Sequence, residues 1–173
     1  MNQFKIYEEK DATFVDDLKA SVPDVERVAQ WVRERYKCEA TVFPLTIRRE
    51  ASDMAACSDD GDFDAHIGGL DYRVDAKRWK KQKKDFTCRE DFPYRKIFVV
   101  ECHQWDKLKT KAMTYIIMNK KATRAVIVRG SSRWSWDAID YYDEEKERWR
   151  RGYLCPLDHG EWVEIRLKSD GLF

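Results

Sequence analysis

No uninterrupted apolar run of the roughly 18 residues needed to span a bilayer occurs in the 173-residue sequence. The opening segment MNQFKIYEEKDATF also lacks the apolar core of a signal peptide. Both absences lead to the expectation of an intracellular, cytoplasmic protein with no membrane partner. Paired cysteine spacing is missing too. Cys38, Cys57, Cys88, Cys102 and Cys155 are odd in number, widely spaced and without a CxxC, which fits reduced thiols better than a disulfide framework. Cys88, Cys102, His103, Cys155 and His159 could together assemble a zinc site, which would make a zinc-stabilised interaction module, but without paired ligand spacing they default to core or surface positions. Net charge is only +1, so affinity for a polyanion must come from where the cations sit and not from their excess. There is no internal repeat and no low-complexity tract.

What is present is charge together with aromatic mass. Charged residues make up 38% of the chain, against roughly 25% in an average globular protein. The 43% of apolar residues and the seven tryptophans still supply a core. The length suits one domain with one sizeable core. The expectation is a single domain over 1–173, its core at about 21–130 and 131–173 a C-terminal extension of it.

Residues 1–20 show no clear periodicity and read as an ordered arm or a short helix. From Pro23, a residue suited to a first helical turn, Val25, Val28, Ala29 and Val32 recur at helical spacing, which predicts an amphipathic helix from about Pro23 to Tyr36. TVFPLTIRRE follows with β-favouring residues, and Glu50 to Gly61 reads as an acidic loop. IFVVEC, MTYIIM and AVIVRG read as strands. SSRWSWDAIDYYDEEKERWRRGY reads as charged, aromatic and partly helical, and GEWVEIRLK as an edge strand or tail. The order makes an α/β or α+β sheet domain.

The segment GDFDAHIGGLDYRVDAKRW reads as two strands turned by Gly68-Gly69. A two-residue turn pairs Ile67 with Leu70, sets Asp64 opposite Arg73 and sets Asp62 opposite Asp75. Alternation then puts Asp62, Asp64, His66, Asp71, Arg73, Asp75 and Lys77 on one face, and Phe63, Ala65, Ile67, Leu70, Tyr72, Val74 and Ala76 on the other. Metal-dependent phosphodiester cleavage calls for such an arrangement. Mg²⁺ prefers oxygen ligands, keeps several waters, and needs only one or two carboxylates beside a substrate phosphate. A lysine two residues after the second carboxylate points the same way and can orient water or stabilise developing charge.

With the residues Asp62 to Lys77, the sequence resembles the PD-(D/E)xK nuclease superfamily, over about residues 23–118. In that family a glutamate-bearing helix precedes the hairpin, as Glu26 does in DVERVAQWV. The hairpin supplies an aspartate and a (D/E)xK triplet, here DAK, and a buried strand such as KIFVVEC follows. The resemblance implies a restriction-endonuclease-like central mixed sheet flanked by helices. It also implies a Mg²⁺- or Mn²⁺-dependent deoxyribonuclease, with Asp64, Asp75, Asp62 and Glu26 as metal ligands and Lys77 as a catalytic residue. A homodimer is an expectation from the resemblance alone. The first aspartate stays open: hairpin counting selects Asp62, whereas the family's Gly-x-apolar-Asp pattern selects Asp64.

Residues 77–96 carry an excess of six positive charges. Arg78, Lys80, Lys81, Lys83, Lys84 and Arg95 are candidates for holding a nucleic-acid backbone, expected to be DNA, beside the metal. Trp79, Phe86 and Tyr94 would either stack on bases or pack the connector down. Arg129, Arg133, Trp134 and Trp136 are further candidates for contacts. Each feature has a plainer alternative: a solvent-facing hairpin, an ordinary first-turn helix acid at Glu26, a surface His66, a solvated connector. The competing functional reading is an inactive nuclease-like fold that binds nucleic acid or a protein partner.

Overall fold

Helix formation starts well before Pro23. In the computed structural model, which describes residues 3–44, 61–111 and 113–171, α1 runs from Gln3 to Tyr36 with Pro23 inside it. A proline there removes one backbone donor and crowds the preceding turn, yet the helix continues through it. The amphipathic half read from the sequence is the part that packs: Val25, Val28, Ala29, Trp31 and Val32 are all buried.

Two sheets follow. The first is six-stranded and contains β1 (Glu39–Val42), β2 (Phe63–Ile67), β3 (Leu70–Arg78), β5 (Met113–Met118), β6 (Arg124–Arg129) and β9 (Glu161–Glu164), in the order β1-β2-β3-β5-β6-β9. Every pairing is antiparallel except β3 with β5. Parallel neighbours need a crossover, and here it consists of the basic connector, β4 (Lys96–Glu101) and the short α2 (Cys102–Lys107). The second sheet has the order β4-β8-β7, with β7 at Asp137–Asp143 and β8 at Arg148–Pro156, all antiparallel.

The molecule is therefore mixed α/β in the α+β sense. The side chains of α1 named above pack with Phe63, Ala65, Val74, Ile116, Met118 and Ile127 on one face of the large sheet. On its other face Tyr115, Ile117, Val126 and Val128 pack with Ile97, Val99, Tyr153 and Cys155 of the small sheet and Trp105 and Leu108 around α2. The middle strands are covered on both faces, which is why MTYIIM and AVIV read as unbroken apolar runs. The second flank is thus mainly a sheet, where the resemblance implies helices.

Three expectations need correction or placement. The segment expected to be partly helical forms a 3₁₀ turn at Gly130–Ser135 and then strands β7 and β8. Its pairings explain this: Asp140 faces Arg151, Asp143 faces Arg148 and Tyr142 faces Trp149, and opposite charges and aromatic pairs across a ladder stabilise strands. GEWVEIRLK contributes the edge strand β9. The acidic loop expected from Glu50 onward lies outside the described residues up to Gly61. Among the described residues no helix is long and apolar enough to cross a membrane.

Candidate active site

The hairpin forms with the register its glycines dictate. Gly68 and Gly69 have φ of 59° and 78°, the positive values of a two-residue turn whose twist suits the strands. Ile67 pairs with Leu70, and Asp64 with Arg73. Phe63, Ala65 and Val74 are buried against α1, so alternation turns Asp64, His66, Asp71, Arg73, Asp75 and Lys77 to the other face. The chain enters β2 through Gly61, where φ is 104° and an added Cβ would meet Arg73 Cδ at 2.8 Å and the Val74 carbonyl at 3.0 Å.

On β1 and β2 this polar face is braced within the sheet. His66 lies between Thr41 Oγ1 at 2.8 Å and Asp71 Oδ1 at 2.7 Å, linking three strands. Arg73 Nε donates to Asp64 Oδ1 at 2.6 Å, and its guanidinium lies 4.7 Å from the Phe43 ring centre. Asp62 lies outside the paired rungs of the hairpin, which begin at Phe63–Val74; its N–H donates to the Val74 carbonyl at 2.8 Å and its Oδ2 accepts the Ala76 backbone N–H at 2.7 Å. Counting outward from the turn sets Asp62 opposite Asp75, a rung the hairpin does not form, because the Asp62 N–H bonds to the Val74 carbonyl, one residue out of the register of the rungs below.

At β3 the second layer begins. Asp75 and Lys77 lie at its foot in a pocket of about 90 Å³, completed by Val100, Gln104, Leu108, Met113 and Tyr115. That space suits a few waters or a hydrated cation. The Asp75 side chain is 14% exposed, and Lys77 Nζ lies 3.5 Å from its Oδ2. This is an ion-pair separation and not a hydrogen bond. Asp75 Oδ2 is in fact buried with no hydrogen-bond partner among the described residues. Lys77 Nζ instead donates to the Val99 carbonyl at 3.1 Å and sits 5.4 Å from the Tyr115 ring centre. A buried carboxylate oxygen without a hydrogen bond is costly, by about 1–3 kcal/mol, and a catalytic role, an ion or a water are among the things that account for such a group.

The other candidates are distributed differently. Glu26 is exposed on α1, and α1 packs on the face of the sheet opposite to Asp75 and Lys77, so the fold does not bring it to them. Arg78 is committed to structure: Nε and one terminal nitrogen donate to the Lys120 carbonyl at 2.8 and 2.6 Å, and the other pairs with Asp24 at 3.0 Å. Lys81 pairs with Glu145 at 2.6 Å. Lys80, Lys83, Lys84 and Arg95 are exposed. The connector aromatics pack on one another: Trp79 contacts Phe86, Phe92 and Tyr94 edge-on or tilted at 4.7–5.7 Å, and Phe86 is fully buried. Trp136 is buried and Arg133 stacks on Tyr153 at 3.9 Å, while Trp134 is exposed. Cys102 and Cys155 are in the core.

Sequence reasoning missed Gln104, Val100 and Leu108, the wall of the pocket. No motif marks them, because their place depends on β4 crossing β3. The fit to a divalent cation is partial. Asp75 offers an oxygen lacking a hydrogen bond, one of the one or two carboxylates that Mg²⁺ requires, while Asp62 is bonded to the Ala76 backbone and is not among the residues that line the pocket. A group of three or more ligating side chains is absent among the described residues. Comparison with known proteins finds no matching family model, no similar curated protein and no similar solved structure.

Proposed function

We propose that this protein is a metal-dependent nuclease that hydrolyses phosphodiester bonds in DNA. The observation that carries the reading is Asp75: a buried carboxylate oxygen without a hydrogen bond, in a hydrated-cation-sized pocket, with Lys77 two residues on and 3.5 Å away. The order α1, hairpin, buried β4 supports the resemblance to the PD-(D/E)xK superfamily and a restriction-endonuclease-like classification of the sheet.

In this reading Asp75 and Asp62 hold the metal, with Asp64 the alternative first carboxylate. Asp62 is favoured because its oxygen is tied to Ala76, beside Asp75, whereas Asp64 is engaged by Arg73. A Mg²⁺ or Mn²⁺ ion held there would supply Lewis-acid chemistry, lowering the pKa of a water and offsetting charge on the scissile phosphate. Lys77, held by the Val99 carbonyl, presents its ammonium beside Asp75 to orient that water or the phosphate oxygens. The exposed Lys80, Lys83, Lys84 and Arg95 hold the backbone of the nucleic acid. Glu26 has no part in this site.

The test is incubation of the purified protein with single-stranded, duplex and branched DNA and with RNA, in Mg²⁺ or Mn²⁺. Cleavage of DNA supports the reading, and no cleavage of any form counts against it. The second reading, an inactive fold that binds without cutting, is favoured by the Asp64–Arg73 pair, which occupies one of the expected ligands. Binding that survives both chelation and Asp75→Ala, with no cleavage, supports that reading.

A further inference from the structure

β4 ends its pairing at Glu101 with Gly152, but β7 and β8 continue beyond it. Four further rungs, Asp140–Arg151, Tyr141–Arg150, Tyr142–Trp149 and Asp143–Arg148, form a two-stranded arm. Its root adjoins Val100, which lines the Asp75 pocket. Near its tip, Glu145 pairs at 2.6 Å with Lys81, in the connector that leaves the Lys77 end of β3. The arm thus extends from the wall of the pocket to the basic connector.

Alternation puts Tyr142 and Trp149 on the arm face shared with Ala138 and Tyr153, the side that packs toward the large sheet. Out on the arm that face is uncovered among the described residues. Trp149 is 71% exposed and Tyr142 49%, their rings 5.7 Å apart at 70°. The two rings touch each other across the ladder, but no core residue covers them among the described residues. Of the arm's acids, Asp143 is compensated by Arg150 at 2.7 Å and Asp140 by Arg151 at 3.4 Å within the arm, and Glu145 by Lys81 of the connector. Arg148 beside Trp149, and Lys80, Lys83 and Lys84 on the connector, are exposed cations, whereas Glu144 and Glu147 lie in the turn beyond the aromatic pair.

We infer that this arm is a stacking platform for unpaired bases, and that the substrate is single-stranded nucleic acid or a duplex with an unpaired segment. Bases within a duplex already stack on one another, while an unpaired base has a free π-face for an indole or phenol. The cations follow the backbone and Trp149 and Tyr142 take bases. The inference rests on the nuclease reading only in treating this nucleic acid as substrate.

The test uses full-length protein carrying Asp75→Asn, so that nothing is cut, and measures fluorescence anisotropy with a labelled oligothymidylate and with a blunt duplex. Trp149→Ala and Tyr142→Ala should each weaken oligothymidylate binding by about tenfold or more and change duplex binding by less than about twofold. Trp149→Phe should retain most of the single-strand affinity. Each substitution removes one cross-strand contact between exposed rings, worth about 0.2–1 kcal/mol, so the melting temperature should fall by no more than about 4 °C. Unaltered oligothymidylate binding by Trp149→Ala, equal losses on both ligands, or no oligonucleotide binding by the parent would each overturn the inference, the last leaving the arm to a protein partner. If Trp149 proves necessary for single-strand binding while unsubstituted protein cuts nothing, the nuclease reading fails and the platform stands. If the protein cuts while Trp149→Ala binds like its parent, the platform alone fails.

Discussion

Asp75 and Lys77 leave β3 on the same face, and the lysine reaches past the aspartate to the other sheet: Nζ is 3.5 Å from Asp75 Oδ2 yet donates to the Val99 carbonyl at 3.1 Å. The ammonium is therefore positioned by the second layer, and the carboxylate oxygen beside it keeps its bonding capacity for a ligand. That division of roles separates the effects of substitution.

Lys77→Ala should lower the rate of cleavage by about a hundredfold or more, the scale of losing one preorganised charge-stabilising donor, with little change in affinity for DNA. Replacing Lys80, Lys83 and Lys84 together by alanine should weaken binding instead and flatten its dependence on salt, because each phosphate contact contributes to that slope. Single-turnover cleavage and a salt titration of binding distinguish the two outcomes.

Ion binding to the folded state alone raises stability, by about 2.7 kcal/mol at a hundredfold excess over Kd. For a protein of this size that corresponds to a rise of roughly 5–10 °C in Tm. Mn²⁺ should therefore raise the melting temperature of the unsubstituted protein, and the rise should vanish in Asp75→Asn. A calorimetric scan with and without the ion reads this without relying on activity.

The two first-carboxylate candidates should separate cleanly. Asp62→Asn should abolish cleavage, and Asp62→Ala should also destabilise the hairpin by about 1–3 kcal/mol through loss of the charged acceptor for the Ala76 N–H. Asp64→Asn should retain activity, since Asp64 braces Arg73. The reverse pattern in a cleavage assay would reassign the ligand to Asp64.

Away from the site, burial, and next to it the Glu101 carboxylate, push Tyr141 up to about 12. Its hydroxyl donates to Glu101 Oε1 at 3.2 Å. A folded-state value above the unfolded one of about 10 means stability that is fully present below pH 10 and lost as pH rises toward 12. Tyr141→Phe should therefore flatten the alkaline fall in stability between about pH 10 and 12, measured by urea titrations across that range.

Much of the site was legible because it is local. A Gly-Gly turn between alternating residues fixes register, and register fixes which side chains share a face, so the Asp64–Arg73 pairing and the common face of Asp75 and Lys77 follow from counting, whereas Asp62 falls where the register breaks. The side of the sheet that a helix covers is not local: Glu26 occupies a suitable place in the chain order but lies across the sheet from Asp75. The Val100–Gln104–Leu108 wall has the same origin, in a crossover that no periodicity records. β7 and β8 were hidden because their stabilising pairs are Asp with Arg and Tyr with Trp, so the segment shows charge where a half-buried strand would show alternation. Pro23 misplaced the helix start, because a residue favoured in a first turn sits here in the interior.

The most direct measurement of the central claim compares cleavage of labelled single-stranded and duplex DNA by the unsubstituted protein and by Asp75→Asn, in Mg²⁺ and in excess chelator. The account predicts products only with the unsubstituted protein in the presence of the ion, while Asp75→Asn still binds DNA as tightly or more tightly. Equal cleavage by both proteins, or cleavage that persists in chelator, would contradict it.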